Sequence, residues 1–211
     1  MSPVQSSYNL ILTTVGSDLL LNVITPAEAT EGKRQWVLES LSERESNLSV
    51  LMRDYIRSLG ERALDSLRRS SAVGQGKLSP ELGGIHTWLG EGRLIASPQD
   101  KHLLLAADTH ASRTAAQVLH RFLTERAVAA ELVIVPQPVA AGGDDMAHPG
   151  RALPADLERW RDDKLPGLVQ QGYRIILNLA GGPEWLRESC SSAVSSGEVE
   201  LLPVNQQRVS G

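Results

Sequence analysis

Three short segments of this chain place small, hydroxyl-bearing or charged residues directly after an apolar run: Gly16-Ser17-Asp18, Asp108-Thr109-His110-Ala111-Ser112-Arg113, and Gly181-Gly182-Pro183-Glu184. Glycine at a strand-to-helix junction lets backbone N–H groups approach a ligand, and helix-start N–H groups favour anions, phosphate above all. A hydroxyl or carboxylate at the same place can cap the helix or accept a hydrogen bond from a base. Near the second junction, His110 and Arg113 are the best-placed cations. The first junction lacks G-x-G-x-x-G, and no acidic residue follows a second strand at the usual distance, so NAD is not expected. Asp108-Thr109 would suggest a phosphatase nucleophile, but the position two residues on from Asp108 is His110 rather than a second acid.

The junctions need a scaffold. Apolar runs predict strands at Tyr8–Val15, Lys101–Ala107, Glu131–Val135, Tyr173–Leu179 and Val199–Val204. Helical segments lie between them, and that alternation implies an α/β fold with a parallel sheet and right-handed crossovers. All three junctions then fall at the carboxyl edge, where open α/β sheets bind ligands. A short helix around Leu19–Val23 should end near Pro26. Helical spacing from Gln35 to Arg69 predicts one long or two consecutive helices, with Gly60 as the weak point. Ser70 to Pro80 reads as a loop. Ser79-Pro80-Glu81 reads as an N-cap with proline at the first helical position, opening a short helix to about Trp88. Further helices are expected at Ser112–Arg126, with Asp108 capping it, at Asp156–Gln171, and from Pro183 to about Gly197. Segment 136–150 reads as an irregular loop. The stretch 26–98 departs from strict alternation and reads as a helical insertion or an interface element within a single domain, 1–211.

Composition excludes several functions. The 211 residues are 41% hydrophobic and 22% charged, as in ordinary globular chains. Aromatics at 4% are too few for a single-strand nucleic-acid reader built on stacking. A net charge of −4 argues against duplex nucleic acid, while leaving room for a small anion at backbone N–H groups. One cysteine, Cys190, precludes an internal disulfide or a Cys-rich metal site, and the five histidines lack ligand spacing, so neither metal nor cofactor is expected. The first residues have no basic region before an apolar core, and no apolar run nears the roughly 20 residues that span a bilayer. A cytoplasmic protein without membrane contact is expected.

Leu12-Thr13-Thr14-Val15-Gly16-Ser17-Asp18-Leu19-Leu20-Leu21-Asn22 resembles the opening motif of CRISPR-associated Rossmann-fold (CARF) proteins, L-T-T-V-G-T-S-L-L-x-N. Leu104 to Arg113 resembles their "SDT-x-x-G" segment, and Ile176 to Glu184 resembles their "LN-x-TGGFK" signature. The closest subset is the stand-alone members, some of which are ring nucleases. The resemblance, spanning residue 8 to about 205, implies a Rossmann-like sheet with helices on both faces. It also implies a homodimer that binds cyclic oligoadenylate, cyclic tetra-adenylate above others, across its two-fold axis. In ring nucleases no metal is needed: a ribose 2′-hydroxyl is held in line with the adjacent phosphate and leaves a 2′,3′-cyclic phosphate.

Carried onto this chain, the resemblance implies ligand contacts at Gly16, Ser17, Asp18, Thr109, His110, Arg113, Gln137, Gly181 and Gly182, and catalytic roles for Ser17, Asp18 and Glu184. Two departures from the pattern are plain. Ser17-Asp18 stands where the family has Thr-Ser, and Glu184 stands where it has lysine. An inactive sensor or sink acting through a partner is therefore the alternative to a ring nuclease that ends type III CRISPR signalling. From another class, a metabolic enzyme using a mononucleotide also fits the glycine-rich junctions. Plain structural readings stand beside these: turn glycines at 16, 181 and 182, an N-cap at Ser17 or Asp18, a solvated loop at Asp144-Asp145, a buried helix position for Cys190, and a wet helix face for Arg53, Arg57, Arg62, Arg68 and Arg69.

Overall fold

Five strands are built from apolar runs whose alternate residues face two separate cores. The computed structural model describes residues 8–30, 32–40, 43–136, 155–194 and 199–202. Its elements in chain order are β1 (Tyr8–Val15), α1 (Asp18–Leu21), α2 (Pro26–Thr30), α3 (Lys33–Glu39), a 3-10 turn (Glu45–Asn47), α4 (Val50–Arg69), α5 (Ala72–Leu78), α6 (Pro80–Leu89), β2 (Lys101–Ala107), α7 (His110–Thr124), β3 (Ala129–Val135), α8 (Ala155–Gln170), β4 (Tyr173–Asn178), α9 (Glu184–Val194) and β5 (Val199–Leu201). All pairings are parallel, and the strand order is β3-β2-β1-β4-β5. The chain walks outward from β1 to β3, then returns to the other side of β1. The reversal sits between β1 and β4, which is where such sheets open a crevice at their carboxyl ends.

The two faces are covered unequally. Ile11, Val15, Leu104, Ala106 and Ile176 face a core shared with α1, α4, α6 and α7. Leu10, Leu12, Leu103, Leu105, Ile175 and Leu177 face a second core with Leu186 and Cys190 of α9, flanked by Trp160 and Leu168 of α8. Both faces of β1, β2 and β4 are thus buried, so these strands read as unbroken apolar runs. At the amino edge the buried Asp100 carboxylate accepts from the Asn9 N–H, the Asn9 amide, and the Ala96 and Ser97 N–H groups, at 2.7–3.1 Å. Among the described residues no helix is long and apolar enough to cross a membrane.

Several boundaries differ from the sequence expectation, each for a local reason. Pro26 opens α2 instead of ending a helix, as suits a residue with no N–H to lose at the first helical position. The break in the 35–69 pattern falls between α3 and α4, where Ser49 caps α4 by accepting from the Met52 N–H. Gly60 does not weaken α4. A Cβ there would lie 2.8 Å from Thr114 Cγ2, so glycine admits the close crossing of α4 and α7. The expected 70–80 loop is largely α5, capped by Ser71, whose Oγ accepts from the Gly74 N–H. Pro166 lies inside a continuous α8.

One electrostatic clamp fixes α2 to α4. Glu28 and Thr25 form a reciprocal cap, with the Thr25 N–H donating to Glu28 and the Glu28 N–H to Thr25 Oγ1. The same carboxylate takes two bonds from the Arg62 guanidinium, at 2.8 and 3.0 Å, and one from the Tyr55 hydroxyl. Arg62, with the Thr25 N–H behind it, holds the Glu28 carboxyl down at about 2. A carboxyl lowered in the folded state stabilises the fold above its unfolded value and loses that contribution as pH falls toward the folded one. Arg62→Ala should therefore cost about 1 kcal/mol at neutral pH. Thermal melts of the two proteins should draw together between pH 4.5 and 2, and a gap independent of pH would show that the clamp does not act through charge.

Candidate functional site

At the switch point the ends of β1 and β4 meet backbone to backbone. A Cβ on Gly16 would lie 2.7 Å from the Gly182 nitrogen, and one on Gly182 would lie 3.1 Å from Thr14 Cβ. Gly182 also has φ +84°, in the left-handed region that L side chains avoid. The Thr14 hydroxyl donates to the Gly181 carbonyl at 2.6 Å. Together these contacts make a floor of bare backbone between two adjacent strand ends.

Beneath the floor lies a carboxyl that sequence reading passed over. Glu81, in the first turn of α6, is 1% exposed. Its Oε1 accepts from the Gly16 N–H at 3.1 Å, and its Oε2 accepts from the Ser79 hydroxyl at 2.7 Å. A Cβ on Gly181 would lie 2.0 Å from Oε1, so the carboxyl fills the place where a side chain would stand. Burial pushes the Glu81 carboxyl above its usual range; its hydrogen bonds oppose this, and the Asp18 charge adds to it. Asn178 completes the underpinning, donating to the Glu81 carbonyl at 2.8 Å. Ser79 also caps α6 through the Leu82 N–H, as its sequence suggested. An acid in a first helical turn ordinarily reads as a dipole partner. Nothing local marked Glu81 as reaching a glycine 65 positions away.

The rim is polar. Ser17 is half-buried, and its side chain makes no capping bond to α1. Asp18 and Glu184 are both exposed, one opening α1 and the other opening α9. The Pro183 carbonyl accepts from the Leu186 and Arg187 N–H groups. The N–H groups of the first turn of α9 have no partner within the helix. Arg187 lies one turn into α9, and helical side chains lean toward the N-terminus. Its Nε is buried with no hydrogen-bond partner among the described residues.

The second junction is built differently. Thr109, rather than Asp108, caps α7, its hydroxyl accepting from the Ser112 N–H. Asp108 instead pairs with Arg113 at 2.5 Å and stands 3.8 Å from Arg44. His110 is buried; its N–H donates to the Glu43 carbonyl, and its ring faces the Arg53 carbonyl and the Glu45 carboxylate. The structure thus brings Gly16, Ser17, Asp18, Gly181 and Gly182 together where β1 and β4 end, with Glu184 two residues further along the chain. Thr109 and His110 are engaged in holding α7, and Arg113 lines a hollow of about 400 Å³ between α4 and α7. Gln137 lies outside the described residues. A larger hollow, of about 470 Å³, opens at the amino ends of β2 and β3 against α8, away from all these junctions.

The family described as CRISPR-associated protein (Cas_APE2256) matches residues 76–185. The matched stretch takes in Glu81, the Asp108–Arg113 junction and the Gly181–Glu184 loop. No curated protein matches the chain.

A side chain at Gly181 would have to displace the buried Glu81 carboxyl and would press on the Thr14 carbonyl. Gly181→Ala should cost about 1–3 kcal/mol by overpacking against Glu81 and the Thr14 carbonyl. The drop in melting temperature should be partly relieved in the double variant with Glu81→Ala. An unchanged melt in the single variant would mean that the carboxyl does not fill that space.

Proposed function

The chain belongs to the CRISPR-associated protein family (Cas_APE2256), and from that membership we propose an accessory protein of type III CRISPR defence that binds a cyclic oligoadenylate in the crevice above β1 and β4. The observation that carries this reading is the glycine floor at the switch point, rimmed by the Ser17 hydroxyl and the first turn of α9. Bare backbone admits a phosphodiester closely, and the helix-start N–H groups of α9 suit its charge. Arg187 offers a cation in place of the lysine that Glu184 replaces.

Cyclic tetra-adenylate has two-fold symmetry, and a homodimer presents one crevice twice. Trp36, Leu38, Val50 and Leu51 stay exposed at α3 and the start of α4, with Val50 and Leu51 at 62% and 75%. That end of α4 lies near the carboxyl edge, because Arg53 meets His110 there. Exposed apolar residues gathered in this way suit coverage by a second copy. The cytoplasm is where such signalling takes place.

Cleavage is the second reading, favoured by a Ser17 side chain not spent on capping. In that step the ribose 2′-oxygen bonds to phosphorus and the P–O5′ bond breaks, leaving a 2′,3′-cyclic phosphate and a 5′-hydroxyl. Ser17 would hold the phosphate, Asp18 or Glu184 would take the 2′ proton, and solvent water would protonate the leaving 5′ oxygen. Two carboxylates beside a polyanion weigh against it, so binding without rapid turnover is the conclusion.

The test is incubation of the protein with labelled cyclic tetra-adenylate in EDTA, followed by gel shift and chromatography. Retained intact ring is expected. Linear products would make the protein a ring nuclease, and neither retention nor product would overturn the proposal. Glu184→Lys should tighten binding about three- to tenfold by replacing a repelling charge with an attracting one, and Arg187→Ala should weaken it by about the same factor.

A further inference from the structure

Glu81 and Asp100 are the fully buried acids among the described residues, and the structure treats them differently. Asp100 receives four N–H bonds. Glu81 receives the Gly16 N–H, its own N–H and one hydroxyl, and among the described residues no cation lies against it. The Ser79–Glu81 contact of 2.7 Å accepts a proton on either oxygen, as a hydroxyl donating to a carboxylate or an acid donating to a hydroxyl. Among the described residues the charged group facing Glu81 is Asp18 on α1, which repels a second negative charge. From the other elements around it come Thr14 of β1, Gly181 of the β4–α9 loop and the Ser79 hydroxyl, none of which carries charge near neutral pH.

We propose that Glu81 holds a proton in the resting site and, in that neutral form, is the positioning residue that ties the β1–α1 loop to α6 beneath the β4–α9 loop. An anion seated on the glycine floor then sits above a neutral carboxyl, and ionising that carboxyl places a buried negative charge under it. The site therefore holds its anion best while Glu81 keeps its proton. The identity of the anion rests on the proposed function; the state of Glu81 does not. The arrangement also assigns a task to the helical stretch between α1 and β2, since α6 belongs to it.

Glu81→Gln is the diagnostic variant, because its Oε1 can accept the Gly16 N–H and its Nε2 can donate to Ser79 Oγ while staying neutral at every pH. The first arm uses no ligand: thermal unfolding of wild type and Glu81→Gln between pH 5 and 9. A carboxyl raised in the folded state loses stability as pH climbs from its unfolded value through its folded one. The variant should accordingly gain on wild type with rising pH and then hold a constant lead. Parallel curves, or a variant that falls behind as pH rises, would overturn the inference.

The second arm measures cyclic tetra-adenylate affinity over the same range. Wild type should weaken with rising pH, by up to tenfold per pH unit for each crevice that engages the ring, the limit for one linked proton apiece, whereas Glu81→Gln should keep the wild-type affinity of low pH. Equal slopes in the two proteins would sink the coupling. If neither protein binds the ring at any pH, the functional reading fails, and the ligand-free arm alone decides the state of Glu81.

Discussion

The approach of two strand ends without an intervening side chain is the constraint on which the site depends. Gly16 and Gly182 touch through backbone atoms, and Gly181 leaves the space that the Glu81 carboxyl occupies. A Cβ on Gly16 or Gly182 would press the end of β1 away from the loop after β4, and one on Gly181 would displace the Glu81 carboxyl. The rim residues Ser17, Asp18 and Glu184 owe their placement to this closeness rather than to bonds of their own.

The scaffold around that contact is asymmetric in its means. On one face, α1, α4, α6 and α7 build a large apolar core, with Gly60 allowing α4 to ride close on α7. The same face supplies the polar underpinning, through Ser79 and Glu81 of α6 and the Asn178 amide of β4. On the other face α8 and α9 pack more simply over leucines. Ser79, Glu81 and Asn178 thus give the buried backbone beneath the glycine floor its hydrogen-bond partners, as burial of unpaired groups would be costly.

Most of the scaffold was legible in the sequence, and the reasons are specific. Buried parallel strands such as Tyr8–Val15 and Lys101–Ala107 are continuous apolar runs, and their limits agree with the structure to the residue. The glycine junctions announced themselves because close backbone approach leaves no alternative to glycine. Helix 72–78 was hidden, because Gly74 and Gly76 read locally as loop, while the contact of Gly76 with Gly83 is made across two helices. Thr109 took the capping task expected of Asp108, since both can cap a helix and Arg113 and Arg44 draw Asp108 away. Glu81 was illegible for a different reason: its partners are a glycine in β1's loop and a loop beyond β4, and no local pattern encodes contacts of that range.

The central position of β1 also sets an order of assembly. Its amino end is tied to Asp100 across 91 residues, and its carboxyl end to Gly181 across 167. Contacts so distant along the chain pay their loop-closure entropy late, after local helices such as α4 have formed. During synthesis β1 is made early and waits for both neighbours, exposing an apolar strand in the interval. The crevice accordingly comes into being in one of the last steps of folding. A nascent chain that has not yet released Gly182 from the ribosome has a floor on one side only, and the junction is complete only once the loop after β4 docks on the end of β1.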